Sequence, residues 1–162
     1  MATQSYHAPF DPADVAGASV LIVEGGFEPA LAAALREGAI AVLDGANVVH
    51  EVVTVPGALE IPTAIAYALA SEEKRGRRWD GYVVLGCVIR GATGHYDVVA
   101  GESNRKLMDL AVESRLALGN GLLTVENDEQ AWERADPKRL DKGGSAAAAA
   151  LAMIALSRKF GL

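Results

Sequence analysis

The stretch that most restricts this chain is Tyr82–Asp97, YVVLGCVIRGATGHYD. Tyr82 to Ile89 is an unbroken apolar run without a charge. Such a run suits a strand covered on both faces, the condition of a parallel sheet between helix layers. Arg90 to Gly94 is a glycine-rich turn, His95 follows, and helical spacing begins at about Tyr96. A buried strand therefore ends, the backbone turns on glycines, and an imidazole stands where a helix starts. Ligands of open α/β sheets gather beyond the carboxyl ends of the strands, against helix N-termini. This junction is the expected place for chemistry.

The rest of the chain fits the same plan. Met1 to Gly17 is polar, carries Pro9 and Pro12, and reads as an arm, either mobile or laid along a neighbour. Ser19–Val23 reads as a short buried strand and Glu24–Glu28 as the loop at its end. Pro29 opens a helix with Leu31, Leu35, Ala39 and Val42 on one face, stopping at Gly45. Val48–Val55 mixes His50, Glu51 and Thr54 with valines, as an edge strand does. After Pro56-Gly57, the pattern predicts a helix over Leu59–Ala70, a charged loop over Glu72–Arg78 and the third strand over Trp79–Ile89. The helix after His95 carries Leu107, Leu110, Ala111 and Leu118 on one side. Gly119-Asn120-Gly121 reads as a turn and Leu122–Glu126 as the fourth strand. Asn127 and Gln130 resemble a capping box for a short helix with Trp132 and Arg134, ended by Pro137. Lys142-Gly-Gly breaks the chain before an Ala-rich helix over Ser145–Phe160. Strand and helix alternate four times, so right-handed crossovers give an α/β fold: a four-stranded parallel sheet in three layers. Residues 18–162 form one domain behind the arm of residues 1–17.

Bulk properties narrow the partners. A net charge of −6 argues against nucleic acid or an anionic membrane surface. The lone cysteine, Cys87, excludes an intrachain disulfide framework and a Cys-rich metal site; its place in the buried run makes it a packed residue rather than a nucleophile. No charge-free run reaches the ~18 residues of a membrane span. The N-terminus has no basic start or apolar signal core, so the expected location is cytoplasmic.

Each strand end offers a candidate residue. His95 is a proton carrier or merely a helix cap, whereas His7 and His50 read as exposed polar side chains. The turn Gly91–Gly94 can present backbone N–H groups to an anion, with Thr93 adding a hydroxyl, but it is neither a P-loop nor a GxGxxG fingerprint. Glu60 either profits from a helix dipole or accepts from sugar or polyol hydroxyls. Phe27 is a stray surface aromatic or a stacking platform for a planar heterocycle. Arg134 and Lys142 are solvated cations or a phosphate clamp.

Three segments, Val55–Pro62 (VPGALEIP), Leu85–Asp97 (LGCVIRGATGHYD) and Thr124–Ala131 (TVENDEQA), closely resemble lumazine synthases, and the likeness runs from about Ser19 to Phe160. The resemblance implies a flavodoxin-like sheet of strand order 2-1-3-4. It also implies a reaction of riboflavin biosynthesis, the condensation of 5-amino-6-(D-ribitylamino)uracil with 3,4-dihydroxy-2-butanone 4-phosphate. The products are 6,7-dimethyl-8-ribityllumazine, phosphate and water, and neither metal nor organic cofactor is implied. Carried onto this sequence, Phe27 stacks on the pyrimidine and Ala58, Leu59 and Glu60 hold the ribityl side. Cys87, Val88 and Ile89 line the ring site, Ala92 and Thr93 hold the phosphate, and His95 moves protons. Asn120 takes a further ring-binding position, Arg134 grips the phosphate, and Lys142 assists.

Three positions depart from the commonest pattern of that family: Glu28 stands where Asn is frequent, Leu59 where Phe is, and Asn120 where an aromatic closes over the ring. The resemblance further implies a homopentamer with sites between subunits, Asn120, Arg134 and Lys142 coming from the neighbour, and a riboflavin synthase as pathway partner. Some relatives build shells of twelve pentamers. The bend Arg134–Gly143 is where that choice is expected to be made, and a free pentamer is the reading adopted. Two other classes compete: a lumazine- or flavin-binding module without turnover, and a flavodoxin-like electron carrier, for which the chain lacks an aromatic pair to sandwich a flavin.

Overall fold

The computed structural model describes residues 4–76 and 78–162. The first three residues of the arm and Arg77 of the charged segment lie outside the described residues. Four strands, β1 (Ser19–Gly25), β2 (Val49–Val55), β3 (Gly81–Ile89) and β4 (Leu118–Val125), form one sheet in the order β2-β1-β3-β4, every pairing parallel. Among the described residues five α-helices join and cover them: α1 (Pro29–Gly45), α2 (Ile61–Arg75), α3 (His95–Glu113), α4 (Asp128–Ala135) and α5 (Lys142–Lys159). The sheet type, strand order and exposed edge position of β2 agree with the sequence reading.

Period-two alternation explains how two apolar strands serve two cores at once. In β1, Val20 and Ile22 pack with α1 and α5 residues such as Leu35, Leu43 and Leu151, while Leu21 and Val23 pack with Ile61, Ile65 and Leu107. In β3, Val83 and Leu85 join the first cluster, and Tyr82 and Val84 the second. A charge-free run was the visible trace of this double burial. Tyr82 is the polar exception. Its hydroxyl donates to Glu72 Oε1 at 2.6 Å, and burial, reinforced by that carboxylate, lifts the phenol well above its ordinary range and keeps it a donor.

Several boundaries differ from the expected ones. Leu118–Gly121 is not a helix end and turn but the first half of β4, with Gly119 opposite Val83 and Asn120 opposite Val84. The glycines there serve close approach. A Cβ on Gly119 would lie 1.8 Å from the Ala146 carbonyl oxygen, and one on Gly121 2.9 Å from that of Val84. Only a bare backbone lets α5 settle so near the strand. Lys142-Gly-Gly is likewise no break but the first turn of α5, where a Cβ on Gly143 would meet the Leu35 carbonyl at 1.9 Å. The charged segment from Glu72 continues α2 to Arg75, ended by Gly76 in the left-handed region at φ 62°. Glu24 belongs to β1, not to the loop after it. It is 2 % exposed, and its Oε1 accepts from Arg36 and from the Thr54 hydroxyl at 2.9 Å.

The described part of the arm lies on its own chain. Residues Pro12–Val15 form a 3-10 turn capped by Asp11, and Arg158 Nη1 donates to the carbonyls of Asp14 and Ala16, each at 3.0 Å. His7, expected in solvent, sits 2.8 Å from Asp141, the N-cap of α5. His50 is half-buried, its ring 3.7 Å from Asp44.

Candidate active site

The strand order places β1 and β3 side by side, so the loops after them share the centre of one sheet edge. After β1, Gly26 N–H donates to the Val55 carbonyl at 2.8 Å, and Gly25 lies against the backbone of Gly57. This brings Phe27 beside the 3-10 turn Ala58–Glu60 that precedes α2. After β3, the chain crosses the turn at Gly91–Gly94 and enters α3 at His95, whose N–H faces the Thr93 hydroxyl at 3.4 Å.

Between these loops lies a cavity of about 380 Å³. It brings together nine of the residues singled out in the sequence: Phe27; Ala58, Leu59 and Glu60; Cys87, Val88 and Ile89; Thr93; and His95. Phe27 is 78 % exposed, an aromatic face held out where a planar molecule can cover it. Glu60 occupies the N-cap position of α2 without capping it by its side chain, so its carboxylate is free to accept from a ligand. The Cys87 thiol is pushed up to about 12, first by burial and then by the carboxylates of Glu28 and Asp128. It is an uncharged wall of the cavity and not a nucleophile. An apolar strand end, a carboxylate, a glycine-rich turn with a hydroxyl and one imidazole thus face one cavity, a set able to meet a flat apolar ring, hydroxyls and an anion.

Four expected residues do not line this cavity. Ala92 sits in the turn between Gly91 and Thr93, which do. Asn120 is three residues down the sheet from the level of Cys87, roughly 10 Å at strand rise. Its amide donates to Asn104 Oδ1 at 2.8 Å and accepts from Leu122 N–H at 2.9 Å. Arg134 lies on α4, its Nη1 donating to the Gln130 carbonyl and Glu133, both at 3.0 Å. Lys142 is the first residue of α5. Conversely Glu28, Gly57, Gly91, Tyr96 and Val99 line the cavity without having been chosen as site residues. Tyr96 and Val99 were within reach of helical spacing, one and four residues after His95.

A family model described as 6,7-dimethyl-8-ribityllumazine synthase matches residues 17–158. The chain belongs to that family. A 6,7-dimethyl-8-ribityllumazine synthase of Nitrobacter winogradskyi is 54 % identical over 157 residues, 96 % of each chain. A protein named 6,7-dimethyl-8-ribityllumazine synthase 1 from Rhizobium meliloti is 58 % identical over 142 residues, 88 % of this chain and 93 % of its own. Relatives in this family thus share the length over which strands, cavity and α4–α5 are built, and no helix among the described residues is long and apolar enough to cross a membrane.

Proposed function

We propose that this chain is an enzyme that condenses 5-amino-6-(D-ribitylamino)uracil with 3,4-dihydroxy-2-butanone 4-phosphate to 6,7-dimethyl-8-ribityllumazine, releasing phosphate and water. The observation that carries this reading is the single cavity joining Phe27, Ala58–Glu60, Cys87–Ile89, Thr93 and His95 in a member of this family. Phe27 stacks on the pyrimidine, and Glu60 accepts from the ribityl hydroxyls. The strand end Cys87–Ile89 offers backbone groups to the ring edge. The turn carrying Ala92 and Thr93 takes the phosphate on N–H and hydroxyl donors. Amine attack on the ketone, loss of phosphate and ring closure all move protons near neutral pH, the task of His95. Holding two substrates together supplies much of the remaining rate.

Among the described residues, no arginine or lysine lines the cavity of one chain. Loss of phosphate calls for fixed positive charge, and Arg134 and Lys142 supply it from a neighbouring subunit, with Asn120 facing the ring. The family likeness supports a homopentamer with sites between subunits as the working form, in the cytoplasm, its product passing to a riboflavin synthase. The test mixes both substrates with purified, assembled protein and follows lumazine absorbance and phosphate. Product is expected in step with phosphate, and no product overturns the reading.

A further inference from the structure

Arg90 stands at the junction of every element around His95 yet does not line the cavity. Its backbone N–H donates to the Val125 carbonyl at 2.9 Å, joining the ends of β3 and β4. Its side chain makes three contacts in two directions. Nε donates to Glu126 Oε2 at 2.8 Å, just past β4. Nη1 lies 3.4 Å from Asp97 Oδ1, and Cζ stands 4.1 Å from the centroid of Tyr96, both in the first turn of α3. Only a planar guanidinium can lie on an aromatic face and offer its edge to carboxylates at once.

His95 depends on such an anchor. No hydrogen bond to its ring forms among the described residues, and its one local tie is the backbone N–H near Thr93. The position of the imidazole is therefore the position of the helix start. Tyr96 and Asp97, the two residues that follow it, are the ones Arg90 holds. Glu126 is fixed in turn: its N–H donates to Gln130 Oε1 at 3.0 Å, and the Gln130 carbonyl accepts from Arg134. One polar chain thus runs from the His95 turn to α4.

We propose that Arg90 is a positioning residue for His95, fastening the first turn of α3 to the end of β4 so that the turn Gly91–Gly94 keeps its shape while substrates bind and leave. This rests on the reaction proposed above. Misplacing a reacting group by about 1 Å can cost on the order of a hundredfold in rate, so a strap of this kind acts on turnover rather than on affinity for the ring.

The test compares wild type with R90M, R90K, E126Q and the double variant R90M/E126Q, each at matched subunit assembly. Expected are a kcat lowered about thirtyfold in R90M and about tenfold in E126Q, with KM for the ribitylamino substrate within about twofold. R90K restores part of the rate, and the double variant is no slower than R90M, because the two side chains act as one unit. A purely structural role would lower Tm while leaving kcat per assembled site unchanged. Calorimetric titration with inorganic phosphate gives a readout free of turnover, and R90M should bind it at least about fivefold more weakly. Should R90M fail to fold, E126Q carries the same comparison, since Glu126 is largely exposed. Wild-type kcat and wild-type phosphate affinity in either folded variant overturn the proposal. An inactive wild type sinks the proposed reaction instead, and the phosphate titration still decides the role of Arg90.

Discussion

Glycine serves opposite ends in two regions of this molecule. Around α5, Gly119 and Gly143 lie where a single added carbon would strike a backbone carbonyl at 1.8 and 1.9 Å. In the turn after β3, Gly91 and Gly94 have nothing within 4 Å of where a Cβ would stand. The first pair lets α5 close on β4 and on α1; the second stands in open space, with Gly91 at the cavity. The scaffold is thus closely packed at α5, and the turn beside the cavity is loosely surrounded.

The sharpest way to break this contrast is Gly119→Ala. The colliding atom is backbone and cannot swing aside, so a loss of about 3 kcal/mol or more is expected in urea melts, with poor recovery of folded protein. A melt like wild type would show that α5 is free to slide. His95→Ala should do the reverse, lowering kcat by about a hundredfold while the melting curve stays put, and Arg134→Ala should be slower still with a raised KM for the phosphate substrate. Gly91→Ala probes the open region directly. The expectation is a Tm within about 2 °C of wild type and a change of a few-fold in KM for the phosphate-bearing substrate alone. The smallest effect belongs to Gly45→Ala, at the end of α1 with open space around it. A gain of about 0.5 kcal/mol is expected there from the reduced freedom of the unfolded chain.

The same contrast explains what could be read from the sequence. β3 was legible because double burial leaves a charge-free run, and β2 because an edge strand keeps polar residues. Gly119-Asn120-Gly121 reads as a turn because glycine marks turns and close approaches alike, and the atom that decides, the Ala146 carbonyl, lies 27 residues further on. The end of α2 was hidden for a related reason. Glu72 looks like loop charge, but its carboxylate turns inward to the Tyr82 hydroxyl. In the site, residues on strand ends were legible because their segments are contiguous. Tyr96 and Val99 were missed because their place in the cavity wall depends on which helical face meets it. Arg90 shows no partner in the sequence, since Glu126 comes beside it only once β3 and β4 are paired.

The cavity wall at Cys87 has a practical corollary. Burial holds the thiol of Cys87, the chain's sole sulfhydryl, protonated at neutral pH, which slows its reaction with alkylating dyes. A cysteine introduced on the exterior would then react faster than the native one, so a fluorophore or spin label could be directed to it with the native sulfur in place.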